Sequence, residues 1–261
     1  MQHHDEAATR FVARTRGRPG VRAVLLTGSV ATGRERPDSD VDLVLVVDDE
    51  QWDAALAAGR IMYTETDGIG YEHGYFDVKL ATPEILAAAA ERGDDPVRDS
   101  LAEAKVLFTE GFDAQGVIRR LAERPDGEWL ELATSFLAQA RLHGEYFLLQ
   151  GLERGDPLLT AHAAVHLATS AARAALALHH VRFPGPKHLI ETLEQVPGLP
   201  DGLRAAVLDV VTAPSTTTGG ALLAHLEGLA GGALDGDAAL SRFVLDNELA
   251  WFTRVPPPEY R

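Results

Sequence analysis

Two kinds of apolar spacing divide the chain. Its first half contains short continuous runs: Val21 to Thr27, ending at Gly28-Ser29, and Val41 to Val47, bounded by Asp40 before it and Asp48-Asp49 after it. Runs of this length, β-branched and flanked by turn residues, predict strands covered on both faces. Residues 60–66 and 71–81 predict two further strands around Asp67-Gly68, the second alternating Phe76, Val78 and Leu80 with Asp77 and Lys79, and together a hairpin. Helical spacing covers residues 5–16, 48–58, 84–92 behind Pro83, a segment after Gly93, and 113–123, with a short strand at Lys105 to Thr109.

After Arg124-Pro125-Asp126-Gly127 the pattern changes, and every later segment has helical spacing. Trp129, Ala133, Phe136, Ala140, Gly144 and Phe147 trace one face of a long helix; residues 159–180 form an alanine-rich second, and further helices are expected near 186–195, 201–211, 219–230 and 236–253. The expectation is an α+β chain with a mixed-sheet domain over residues 1–124 and an α-helical bundle over 125–261.

Composition narrows the choice of partners. Asp and Glu number 39 against 24 Lys and Arg, a net charge of -15, the wrong sign for gripping nucleic acid through its phosphates. With no cysteine, thiolate metal sites, disulfides and thiol nucleophiles are excluded. No basic segment followed by an apolar run opens the chain, and no stretch approaches the ~20 apolar residues of a membrane span, so a cytoplasmic protein is expected.

The chemistry concentrates in Leu26-Thr27-Gly28-Ser29 and Ser39-Asp40-Val41-Asp42. A strand that ends in Gly-Ser and turns into a helix offers free backbone N–H groups and a hydroxyl to an anion such as a triphosphate. Asp40 and Asp42, two apart where a strand begins, project from one face and suit a pair of hard cations such as Mg2+. Asp77 is the best third carboxylate, since its neighbours Phe76 and Val78 are apolar. Lys79 shares its face, and suits either phosphate neutralisation or an ordinary half-exposed strand.

Gly28-Ser29 followed eleven residues later by Asp40-x-Asp42 resembles the DNA polymerase β-like nucleotidyltransferase superfamily, and within it antibiotic nucleotidyltransferases of the kanamycin type. The resemblance implies a triphosphate held at Gly28 and Ser29 with Ser39 alongside, two Mg2+ ions on Asp40, Asp42 and Asp77, and ATP or another NTP as donor. It implies a glutamate as general base, for which Glu145 is similar in position; an intrahelical ion pair with Arg141 explains that residue equally well. Glu72 is a weaker candidate for the base. Lys187, in a loop leading into a helix, suits either phosphate contact or plain solvation.

The expected acceptor is a small hydroxylated molecule, with an aminoglycoside-like polycation favoured by the acidic balance and antibiotic resistance as the implied role. The alternative is an antitoxin-like nucleotidyltransferase that binds or AMPylates a protein. Nucleic acid is disfavoured, and a homodimer is compatible with the sequence. Arg173 with His179-His180 is similar to the RNase motif of HEPN-type helical domains but lacks the full signature. His162 and His166 lie one turn apart with no third ligand at metal-site spacing, and read as ordinary surface or interface histidines.

Overall fold

A computed structural model describes residues 1–231 and 236–260. The chain divides into two compact units, Met1–Glu123 and Arg124–Arg261. Its fold is α+β, a mixed sheet followed by a helical region.

Within the first unit the order is α1 (Gln2–Thr15), β1 (Val21–Leu26), α2 (Gly28–Thr32), β2 (Val41–Val47), α3 (Asp49–Ala57), β3 (Met62–Glu65), β4 (Phe76–Ala81), α4 (Pro83–Arg92), α5 (Asp95–Ala102), β5 (Lys105–Thr109) and α6 (Ala114–Ala122). The strands form a five-stranded sheet ordered β3-β4-β2-β1-β5. The pair β2 and β4 is parallel, whereas β1–β2, β1–β5 and β3–β4 are antiparallel. Because side chains alternate along a strand, the two faces of the sheet make two cores. Val24, Leu26, Leu43, Leu45, Phe76 and Val78 pack against Ala7, Ala8 and Phe11 of α1. On the other face, Ala23, Leu25, Val44, Val46 and Ala81 meet Leu86, Leu101, Val117, Ile118 and Leu121 from α4, α5 and α6. Each fully buried aliphatic or aromatic side chain contributes roughly 1.5–3 kcal/mol, so β2, apolar on both faces, is the strand the sheet can least spare.

The apolar run of β2 ends where Asp48 caps α3, its carboxylate accepting from Gln51 N–H at 3.1 Å. Thr82 does the same for α4 with Pro83 in the first turn, and Asp94 and Asp113 cap α5 and α6. One expectation needs adjustment: the second hairpin strand starts at Phe76 rather than at residue 71. Tyr71 to Gly74 leaves the sheet because Gly68 and Gly70 turn the chain through positive φ, and Tyr71 instead hydrogen-bonds the Ser39 carbonyl at 2.6 Å.

The second unit comprises α7 (Asp126–Leu142), a π-helical turn (His143–Phe147), α8 (Leu148–Arg154), α9 (Pro157–Leu178), α10 (Leu189–Gln195), α11 (Leu203–Thr212), α12 (Thr216–Ala230), α13 (Gly236–Phe243), a second π turn (Val244–Glu248) and α14 (Ala250–Thr253). The long helix expected over 129–147 is therefore interrupted by a wider turn, and Leu148 rather than Phe147 is fully buried. Gly144 lies in that turn where a Cβ would press to 2.9 Å from Leu223 and 3.3 Å from Leu167. Alanines on α9, among them Ala164, Ala168, Ala171 and Ala175, let α7 pack closely against it. Arg173 is buried with its guanidinium 4.1 Å from the Phe136 ring centroid and 4.5 Å from that of Phe183. His179 caps α9, its Nδ1 2.9 Å from the Ala175 carbonyl, and His180 stacks on Trp129 at 5.6 Å. These residues serve packing and capping.

The histidines of α9 differ from their sequence reading. His143, nineteen residues upstream of His162, brings a third imidazole to His162 and His166. Local spacing gave no sign of it, because the neighbour comes from another helix. Burial, and then the rings of His166 and His162, push the His143 pKa down to about 3, so its ring is neutral.

Candidate active site

Strand register brings the acidic residues together. Asp42 on β2 lies directly opposite Asp77 on β4, in a parallel pair whose strands are ~4.8 Å apart. Asp40 precedes Asp42 by two residues. The three side chains, each half-buried, offer one carboxylate oxygen apiece with all three within 4.8 Å of one another. Among the described residues they are the one group of His, Asp and Glu with ligand atoms already so gathered. Like charges at that separation repel by on the order of 3 kcal/mol per pair at an effective dielectric near 20. A divalent cation relieves that repulsion.

The fit to a hard cation rests on a second observation. Asp77 Oδ1 is buried and has no hydrogen-bond partner, a costly state for a carboxylate oxygen unless a cation completes it. The donor set is oxygen only, which suits magnesium or manganese.

The Gly28-Ser29 turn is built around the same carboxylates. Gly28 has φ +66°, and a Cβ placed there would overlap the Asp42 carboxylate. Glycine is required both by the left-handed backbone and by this approach. Thr27 N–H donates to the Asp42 carbonyl at 3.0 Å, continuing the sheet to the turn. Within α2, Thr32 Oγ1 donates to the Gly28 and Ser29 carbonyls at 3.1 and 3.2 Å, and Ser29 remains half-buried.

Ser39 holds the loop before Asp40. Its hydroxyl accepts from Arg36 N–H at 2.9 Å, and its carbonyl accepts from Tyr71 O–H at 2.6 Å. His4 Nε2 lies 3.2 Å from the same carbonyl and donates to it as the Nε2–H tautomer. Tyr75 hydrogen-bonds the Asp40 side chain, and its own pKa rises first from that bond and then from the charge of Asp40. Burial, with Asp40 adding to it, pushes the Tyr71 phenol up to about 12. His4, Tyr71 and Tyr75 are neighbours of the site that the sequence reading missed. Tyr75 carried a signal, lying two residues before Asp77 at the head of its strand. His4 and Tyr71 reach the loop from distant positions and carried none.

Of the remaining candidates, Lys79 and Glu72 belong to the sheet unit and Glu145 and Lys187 to the helical unit. Lys79 follows Asp77 by two residues on the same face of β4, opposite Val44, and is exposed. Glu72 is exposed beside His73. Glu145 lies in the π turn of the helical unit, half exposed, 3.7 Å from Arg141, which also pairs with Glu227 at 2.8 Å. Lys187 is exposed in the turn before α10, two residues ahead of its first residue.

Residues 9–106 match the family model described as a nucleotidyltransferase domain, a span that includes Gly28, Ser29 and all three aspartates. No curated protein matches the chain in sequence. Among solved structures, the chain is similar to a nucleotidyltransferase-like protein from Exiguobacterium sibiricum 255-15, at 13% identity and a TM-score of 0.51, over 94% of this chain and 80% of that one. This second likeness is one of fold. Among the described residues, no helix is long and apolar enough to cross a membrane. Over residues 9–106 the chain thus carries a nucleotidyltransferase domain that fits the DNA polymerase β-like superfamily, and it is a transferase whose general chemistry moves a nucleoside monophosphate.

Proposed function

We propose that the enzyme transfers a nucleoside monophosphate, AMP in the first instance, from a magnesium-bound triphosphate to a hydroxyl of a small acceptor. The observation that carries this reading is the placing of Asp42 opposite Asp77, with Asp40 on the same strand lead-in, beside the Gly28-Ser29 turn. In the reaction, the acceptor oxygen bonds to the α-phosphorus while the bond to the β-phosphate oxygen breaks and pyrophosphate leaves. Two divalent ions held by Asp40, Asp42 and Asp77 would neutralise charge on the attacking and leaving oxygens.

The chain's own groups do the rest. Gly28 and Ser29 present N–H groups and a hydroxyl to the triphosphate, and Ser39 keeps Asp40 in line through its clasp with Arg36 and Tyr71. Lys79 and Lys187 add positive charge for the phosphates. Glu145 takes the hydroxyl proton as general base, a role that requires it to exchange its Arg141 partner for the acceptor.

The helical unit, residues 125–261, binds the acceptor in this reading. It contains a cavity of about 470 Å3 with a mostly apolar lining that includes Leu142, Phe147, Leu240 and Phe243, with Arg141, Glu145 and Glu248 as its charged groups, within the size range of small-molecule sites. Glu145 and Glu248 suit the amino groups of a hydroxylated molecule of the aminoglycoside kind, whose modification would confer antibiotic resistance, while the apolar majority of the lining suits a less polar, lincosamide-like acceptor.

The test supplies each nucleoside triphosphate with Mg2+ and a panel of aminoglycosides and neutral polyols, reading pyrophosphate release and acceptor mass. One NMP should be added to a cationic acceptor, and Asp40→Asn with Asp42→Asn should abolish it. Glu145→Gln should slow turnover with triphosphate affinity intact. Addition to the neutral polyols alone would overturn the acceptor class, and unchanged turnover in the Asp40/Asp42 double variant would overturn the mechanism.

A further inference from the structure

The helical unit holds a second cluster of ligating side chains that nucleotidyl transfer does not use. His162 and His166 lie one turn apart on α9 with ring centroids 4.3 Å apart. His143, the first residue of the π turn, sits 4.7 Å from His166 and 5.6 Å from His162, centroid to centroid. We propose that His143, His162 and His166 form a binding site for a transition-metal ion of the zinc class, tying the π turn to α9.

Three observations support it. His143 is only 4% exposed, and its Nδ1 is buried without a hydrogen-bond partner. Nearly every buried ring nitrogen has such a partner, and a metal ion would supply one. Second, three imidazoles sharing a tetrahedral ion at about 2.0–2.1 Å would have ring centroids about 5 Å apart, and the observed separations bracket that value. The rings are now tilted, stacked and edge-on rather than aimed at one centre, and their nitrogens are not gathered as the carboxylate oxygens of Asp40, Asp42 and Asp77 are; χ2 of histidine is a broad, soft torsion, and binding an ion would turn the rings about it. Third, Glu259 is close enough to act electrostatically on His166 and is held by Gln139 Nε2 at 2.8 Å. It is the natural fourth ligand or outer partner.

The donor set fixes the class of ion. Neutral imidazoles select zinc, cobalt, nickel or copper, whereas the oxygen-only Asp40, Asp42 and Asp77 select magnesium or manganese. The enzyme therefore has two metal preferences in two units. A π turn at the first ligand is consistent with this, since such turns recur where a helix is locally rearranged for binding.

The test uses the full chain stripped with a chelator and titrated with Co2+ in excess Mg2+, reading visible d–d absorption and displacement by Zn2+. His162 is exposed, so His162→Ala tests the site without disturbing the core, and His166→Ala provides a second variant. His3 and His4 are a competing pair, with ring centroids 4.0 Å apart in the other unit, so His3→Ala/His4→Ala is the control. One equivalent of Co2+ should bind with tetrahedral-type bands, weakened at least tenfold by His162→Ala or His166→Ala and unchanged by His3→Ala/His4→Ala or Asp40→Asn/Asp42→Asn. Zn2+ should also raise the thermal midpoint of the wild type and not of His162→Ala. Absence of d–d bands, binding indifferent to His162 and His166, or binding that follows His3/His4 or Asp40/Asp42 would each overturn the proposal.

Discussion

Gly28 and Asp42 define each other's position. The glycine has no Cβ, so the aspartate side chain occupies the space beside it; a methyl group there would displace a carboxylate paired across the sheet with Asp77. Gly28→Ala also forces a side chain into left-handed φ, a strain of roughly 1–2 kcal/mol. The chain should still fold, with unchanged far-ultraviolet circular dichroism, while pyrophosphate release falls about 100-fold, as for an ångström-scale misplacement of a reacting group. Release within twofold of wild type would mean that Asp42 does not need its observed place. At this scale the sequence was informative wherever groups are close along the chain. Gly28-Ser29 and Asp40-x-Asp42 could be read from spacing, and Asp77 from strand alternation. Tyr71 and His4, which fix the Ser39 carbonyl, come from 32 and 35 residues away. No local pattern encodes such contacts.

Elements were legible in kind more than in how they join. β2 spans the residues of its apolar run, and capping residues place the starts of α3 to α6. The parallel pairing of β2 with β4 was not readable, because a register between residues 35 apart in sequence depends on tertiary packing. Nor was the π turn, since a helix widened by one residue keeps almost the same apolar spacing. That turn has a measurable consequence through His143. The folded chain keeps this ring neutral with a pKa near 3, against 6.5 when unfolded. Below pH 6.5 the unfolded chain therefore takes up a proton that the folded chain refuses, and stability is lost progressively toward pH 3. Between pH 7.5 and 5.0 the loss from this group is about 2 kcal/mol. Urea unfolding of the metal-free protein should show it, and His143→Gln should remove that part of the pH slope. Equal slopes would show that His143 takes up its proton alike in the folded and unfolded chains, contrary to a pKa lowered by burial.

At the scale of the whole molecule, the chain is a sheet unit and a helical unit, to which the proposed reaction assigns the donor and the acceptor. The charge of -15 disfavoured nucleic acid at the outset, and the change of spacing after Arg124 was the ground for expecting two halves. The helical half remained the less legible, because its alanine-rich periodicity specifies helices without specifying which side chains meet. Its three histidines and its Glu145-lined cavity emerged only from the packing. In the proposed reaction the donor chemistry rests on three carboxylates, of which Asp77 is joined to the other two by fold alone. The most direct measurement is therefore single-turnover transfer of the labelled α-phosphoryl group from ATP to acceptor, with saturating Mg2+, comparing wild type with Asp77→Asn. The account predicts a loss of at least about 1000-fold in the transfer rate with the fold unchanged. A rate within twofold of wild type would contradict it.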